Sequence, residues 1–160
     1  MVNLNTKEKL LLEDEKSHEQ LCIDKYCEYS SKAKDPELSS LFSQLEKKEQ
    51  QHLDTINQIL QGTVPSVNQG QGQQAQSQQS SSMSNTTQPP ENYTADDKAQ
   101  DKILCQDSLS TEKYVSSTYN TAIFEMRDTN LRQVLNHIQK EEQEHGEQIY
   151  NYMSQHGMYN

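Results

Sequence analysis

The sequence predicts an all-α fold: a four-helix bundle assembled from two similar helical hairpins. Three observations carry this expectation. Apolar residues recur three and four positions apart through both ends of the chain, which is the period of a helix with one buried face. Each end is broken once, at "AKDPEL" and at "MRDTNL". Between them, Gly62 to Pro90 reads "GTVPSVNQGQGQQAQSQQSSSMSNTTQPP", rich in Gln and Ser, with hardly any large apolar side chain and no charge. Such a segment cannot bury a core and is expected to be disordered. Residues 1–61 are therefore read as the first hairpin, 62–94 as a disordered linker, and 95–160 as the second hairpin.

Taken in order, the first helix is expected over Thr6 to Lys34 and the second over Pro36 to Leu60. Pro36 suits a first helical position, where its missing N–H costs nothing, and Asp35 before it can cap. The third helix is expected over Ala95 to Met126 and the fourth over Thr129 to Gln155, capped by Asp128.

Composition narrows the partners. With 160 residues, 31% of them apolar, any core is thin. A net charge of -10 argues against nucleic acid and against an anionic membrane surface, since phosphate binding needs clustered Lys and Arg. No run of about 18 apolar residues exists to span a bilayer, and "MVNLNTKEKLLLEDE" has acids where a signal peptide needs an apolar stretch, so a protein made inside a cell is expected. Three cysteines, Cys22, Cys27 and Cys105, form neither a CxxC pattern nor an even set and are read as reduced, mostly packing thiols.

The two halves repeat one another. A shift of 93 positions takes Glu19 to Glu112, Glu49 to Glu142 and His52 to His145 without a gap; it also relates Tyr26 to Tyr119, Asp35 to Asp128 and Phe42 to Leu135. That agreement points to an internal duplication whose unit is a Glu followed, thirty residues on, by Glu-x-x-His. In a hairpin of antiparallel helices, residues equally far from the turn lie at one height. Glu19 and Glu49 each stand 15 residues from Lys34, and Glu112 and Glu142 each 15 from Arg127. At 1.5 Å per residue both pairs lie about 22 Å from their turns, near mid-helix.

Direction follows from the helical period. Glu49 and His52 share a stripe with Leu38, Leu41, Leu45 and Ile56, and Glu142 and His145 share one with Leu131, Leu135, Ile138 and Ile149, so all four point into the core. Glu141, one residue away from Glu142, is turned by about 100° and assigned to solvent. Four carboxylates and two imidazoles then meet in an otherwise apolar interior, where unneutralised charge is costly. Two divalent metal ions remove the cost. One Glu from each of two helices plus Glu-x-x-His from each of the other two is the donor set of ferritin-like di-iron and di-manganese carboxylate bundles. The expected ligands are Glu19, Glu49, His52, Glu112, Glu142 and His145, and the expected cofactor is a pair of divalent metals, iron or manganese first. Tyr26 and Tyr119, two turns beyond the first glutamates, are read as packing groups or as residues that support the ligands. Glu15, one turn before Glu19, is a candidate extra ligand without an acidic counterpart, since the shift places Ser108 there, and His18, His137 and His156 have no partner at ligand spacing and are read as surface histidines.

The second half also carries "LSTEK", a Tyr followed by "TAIFE", the helix start "LRQVL", the helix "EEQEH" and the closing "YMSQHGMY". By these it resembles the spore coat protein F family of endospore-forming bacteria over most of Leu109 to Asn160, with Met158 where the family commonly has tryptophan. The first half resembles the same module more distantly. The resemblance implies a ferritin-like bundle, a place in the spore coat after synthesis in the mother cell, and other coat proteins as partners, with a homo-oligomer left open. Many members lack a full ligand set and are regarded as structural; this chain keeps all six. It is also similar to a minimal rubrerythrin, but has Cys22 and Val115 where a further carboxylate would stand. The expected function is thus a mainly structural coat protein with a two-metal site, and the alternative is a di-metal oxidase or peroxide-scavenging enzyme.

Overall fold

The computed structural model describes residues 1–66 and 89–159. Their regular structure is four α-helices: α1 (Thr6–Lys32), α2 (Pro36–Leu60), α3 (Ala95–Glu125) and α4 (Thr129–Gln155). Each start has a side chain satisfying an otherwise orphaned N–H. Asn5 and Glu8 form a reciprocal capping box on α1, and Thr94 and Asp97 do so on α3; Asp35 caps α2 and Asp128 caps α4.

The helix ends are set by the other hairpin. α1 stops at Lys32 rather than Lys34 because the next amides are claimed from outside: Lys34 and Asp35 donate their backbone N–H groups to the two carboxylate oxygens of Asp101 on α3, at 2.8 and 2.9 Å. Glu8 on α1 does the same for the other turn, accepting from the Arg127 backbone N–H at 2.9 Å and from its guanidinium at 3.0 and 3.1 Å. The two braces correspond position for position, since Asp101 follows Glu8 by 93 residues and Arg127 follows Lys34 by the same 93.

These contacts also give the topology. Glu8 near the start of α1 meets the end of α3, and Tyr29 near the end of α1 donates to Asp107 near the start of α3, so those helices run antiparallel. Asp35 at the start of α2 accepts from Tyr152 late in α4, so that pair is antiparallel too. With each hairpin antiparallel inside itself, the order is up, down, down, up, with one crossover between α2 and α3.

The reading of 62–94 as a disordered linker needs correcting at its flanks. Gly62 ends α2 with a φ of 91°, a left-handed conformation that disfavours a side chain, and its carbonyl accepts from the Val2 N–H at 2.9 Å. Val64 packs against the core, Tyr93 donates to Asp101 at 2.9 Å, and Thr94 caps α3. The rest of that reading, over 67–88, lies outside the described residues.

The core is apolar above and below the carboxylates, with Leu12, Leu38, Phe42, Leu131, Leu135 and Ile149 fully buried. Tyr26 stacks on Phe42 with ring centroids 5.7 Å apart. Met158 closes one end: its N–H returns to the Met153 carbonyl at 2.7 Å and its side chain is buried. Among the described residues no helix is long and apolar enough to cross a membrane.

Candidate metal centre

Six residues from four helices meet at mid-bundle: Glu19 from α1, Glu49 and His52 from α2, Glu112 from α3, Glu142 and His145 from α4. None is more than 2% exposed. They fall into two groups, Glu19, Glu49, His52 and Glu142, and Glu49, Glu112, Glu142 and His145, and in each group one donor atom per residue lies within 4.8 Å of the others. Glu49 and Glu142 belong to both. In the first group His52 Nδ1 lies 2.9 Å from Glu142 Oε1, 3.3 Å from Glu49 Oε2 and 3.5 Å from Glu19 Oε2. In the second, His145 Nδ1 lies 2.8 Å from Glu49 Oε1 and 3.8 Å from both Glu112 Oε2 and Glu142 Oε2. Each shared carboxylate thus turns one oxygen to each group.

The donor atoms have no hydrogen bonds. Among the described residues, the buried side-chain atoms without a partner are Glu19 Oε2, both oxygens of Glu49 and of Glu142, Glu112 Oε2, Nδ1 of His52 and of His145, and Ser108 Oγ. All but the last belong to the six residues. Buried polar atoms are ordinarily paired, because leaving one unpaired costs about 1–3 kcal/mol. Here several are close enough to bond yet aim past one another. Donors spaced about 3 to 3.5 Å apart fit around an ion whose bonds are about 2.0–2.2 Å long, so the residues present fit two metal ions, four donors to each.

The remaining atoms are occupied in ways that leave those donors free. Tyr26 on α1 donates its hydroxyl to Glu112 Oε1 on α3, and Tyr119 on α3 donates to Glu19 Oε1 on α1. Each terminal glutamate spends one oxygen on a tyrosine and turns the other into a group. Burial, reinforced by the glutamates, pushes both phenols well above their usual range, so they stay protonated and can donate.

Electrostatically, the metal-free site is under load. Burial drives Glu19 up to about 7, and burial followed by repulsion from Glu49 does the same to Glu142. Glu49 and Glu112 are raised chiefly by burial as well. The imidazoles differ. Burial lowers His145, whereas at His52 the same burial is outweighed by carboxylates, Glu141 first, and the ring is raised well above its usual value.

Glu141 is where the sequence reading fails. It was assigned to solvent, but its side chain is half-buried and Oε2 lies 3.0 Å from His52 Nε2, with the carboxyl held down at about 2 chiefly by that bond. The 100° rotation from Glu142 carries it off the bundle axis but onto the neighbouring helix. One signal was available: a ligating imidazole needs an acceptor for its second nitrogen. Glu15 and the other histidines lie outside the two donor groups, although His137 Nε2 comes within 3.5 Å of Glu141 Oε2. Glu15 is buried, but bonds Thr118 and His18; His137 is exposed; His156 stacks on Tyr152. Cys22 and Cys105 are buried and Cys27 exposed, all as free thiols.

Fold and site together define a four-helix protein with a paired carboxylate and imidazole cluster at its centre. Residues 100–160 match the Coat F domain, which covers nearly all of α3, all of α4 and the closing turn. The second half of the chain is thus similar to the Coat F domain, and that similarity indicates the spore coat as its location. No curated protein and no solved structure matches the chain.

Proposed function

We propose that this chain is a coat protein whose ferritin-like bundle, a duplication of one hairpin, binds two divalent metal ions and serves mainly as a structural component in contact with other coat proteins. The observation that carries the reading is the set of eight unpartnered buried donor atoms, divided four and four by the shared carboxylates Glu49 and Glu142. Reciprocal contacts 93 residues apart support the duplication: Tyr26 to Glu112 against Tyr119 to Glu19, and Glu8 to Arg127 against Asp101 to Lys34. The single crossover of an up, down, down, up bundle is the ferritin-like arrangement.

In this reading Glu49 and Glu142, common to both donor groups, would hold both ions, Glu19 and Glu112, each oriented by a tyrosine, would hold one each, and Glu141 would keep the proton of His52 on Nε2 and leave Nδ1 for the metal. Bound metal supplies the positive charge that the buried carboxylates lack, and Lewis acidity at any open coordination position. Oxygen and imidazole donors suit iron and manganese. Elemental analysis of chelator-free protein reconstituted with iron, manganese or zinc tests the reading. About two ions per chain are expected, and fewer than about 0.3 with every metal would overturn it.

A second reading, a di-metal oxidase or peroxide scavenger, is favoured by a pocket of about 520 Å³ whose lining includes Glu112 and Glu142. Peroxide consumption by the loaded protein, absent from Glu142→Gln, is its test.

A further inference from the structure

A pocket is lined by Glu112 and Glu142 beside the second donor group, and the hairpins differ in one residue next to it. Its floor includes Glu112 and Glu142, its walls Leu109, Tyr150 and Tyr159, and its side along α4 is Gly146. A Cβ built on Gly146 would stand 3.5 Å from Leu109 Cδ1 and 3.9 Å from Glu112 Cβ, so the space beyond it belongs to the pocket. The 93-residue shift takes Gly146 back to Leu53 on α2, whose side chain is only 7% exposed. The hairpins thus agree in every ligand and differ at the residue directly after the histidine: a large side chain follows His52, and none follows His145.

Glycine within a helix costs stability relative to alanine, and here it leaves only a thin layer of side chains between the pocket and the buried donor atoms. We infer that Gly146 is the entry to the centre, admitting a small, weakly hydrated, metal-coordinating monoanion to the Glu112 and His145 position, while Leu53 closes the Glu19 and His52 position. The walls argue for weak hydration. They are largely apolar, so an entering anion gives up water before it meets the metal, and only an anion that parts with water easily enters cheaply. Lys113 and Glu147 at the lining carry opposite charges, and bound metal would supply the positive charge that offsets Glu112 and Glu142 and draws a monoanion in. The inference rests on the two-metal reading and adds to it an asymmetry that the ligand set does not contain.

Azide is the probe, and the full-length protein loaded with cobalt(II) is the material, because the visible spectrum of the ion reports an added ligand without any turnover. Cobalt per chain is measured first. Wild-type protein is expected to bind one azide per two cobalt ions. Gly146→Leu, and independently Leu109→Trp from the facing wall, should each weaken azide at least about tenfold while keeping two cobalt ions. Leu53→Gly should admit a second azide. If wild type takes up no cobalt, the two-metal reading falls and this inference with it. If both filling variants load two ions and bind azide as wild type does, or if wild type binds two azides, the entry assignment alone is overturned.

Discussion

Nε2 of His52 on α2 and the carboxylate of Glu141 on α4 are joined by a 3.0 Å hydrogen bond across the two hairpins. Glu141, held ionised, accepts the Nε2 proton, and Nδ1 is directed at Glu19, Glu49 and Glu142, so a metal bound there would displace only the Nδ1 proton. Removing Glu141 frees the tautomer without touching a donor atom. Glu141→Ala is therefore expected to weaken one of the two ions by roughly 10–100-fold and leave the other within a few-fold, whereas Glu141→Gln, which keeps an acceptor oxygen, should recover much of the loss. Stepwise metal competition titrations read both affinities, and equal affinities in wild type and Glu141→Ala would remove this residue from the site.

The metal-free protein should lose stability as the pH rises. Glu19 and Glu142 titrate near 7 in the fold against a usual value of 4.5, so the native state holds more protons than the unfolded chain between those values. Their contribution is complete below about 4.5 and is lost as the pH climbs through 7. With metal bound the trend should reverse, because the ligands must be deprotonated. Glu142→Gln should match wild type near pH 5 without metal, exceed it by up to about 1 kcal/mol at pH 8, and fall below it once metal is added. Thermal melts with metal and with chelator at both pH values decide this; equal stabilisation of both proteins by metal would count against Glu142 as a ligand.

Glu8 ties α1 to the turn between α3 and α4. Most of the Arg127 side chain is in solvent, so screening limits the ion pair, and the larger loss in Glu8→Gln should come from weakened acceptance of the Arg127 amide and of the Asn5 cap. A loss of about 1 kcal/mol is expected at pH 7. The carboxyl lies at about 2, below its usual value, chiefly through hydrogen bonding to the Arg127 side chain, so this stability is present above about 4.5 and is lost as the pH falls toward 2. Denaturant unfolding of both proteins at pH 6 and pH 3 should show the gap closing.

Gly146→Ala should raise stability by roughly 0.5–1 kcal/mol, since alanine is the better helix former and its methyl meets only ordinary contacts at 3.5 Å and beyond. A fall in melting temperature would mean that the backbone at this point needs the freedom of glycine.

The fold could be read because its signals are local. Helical period, the Asp35 and Asp128 caps and the breaks at the turns each depend on a few neighbouring residues, and the repeat fixed which glutamates share a height. The sequence reading missed what one hairpin does to the other. Asp101 shortens α1 through the amides of Lys34 and Asp35, and Glu141 reaches His52, in both cases across an interface for which a single helix carries no period. The Gly146 and Leu53 difference was in plain view along the repeat, but a missing side chain means nothing until the volume beside it is known.

Each hairpin brings one lone glutamate and one Glu-x-x-His, and each turn has backbone amides bonded to a carboxylate from the other hairpin. If two ions are held as proposed, each donor group draws on both hairpins, so parting the hairpins would dismantle both groups at once, and bound metal should slow that opening.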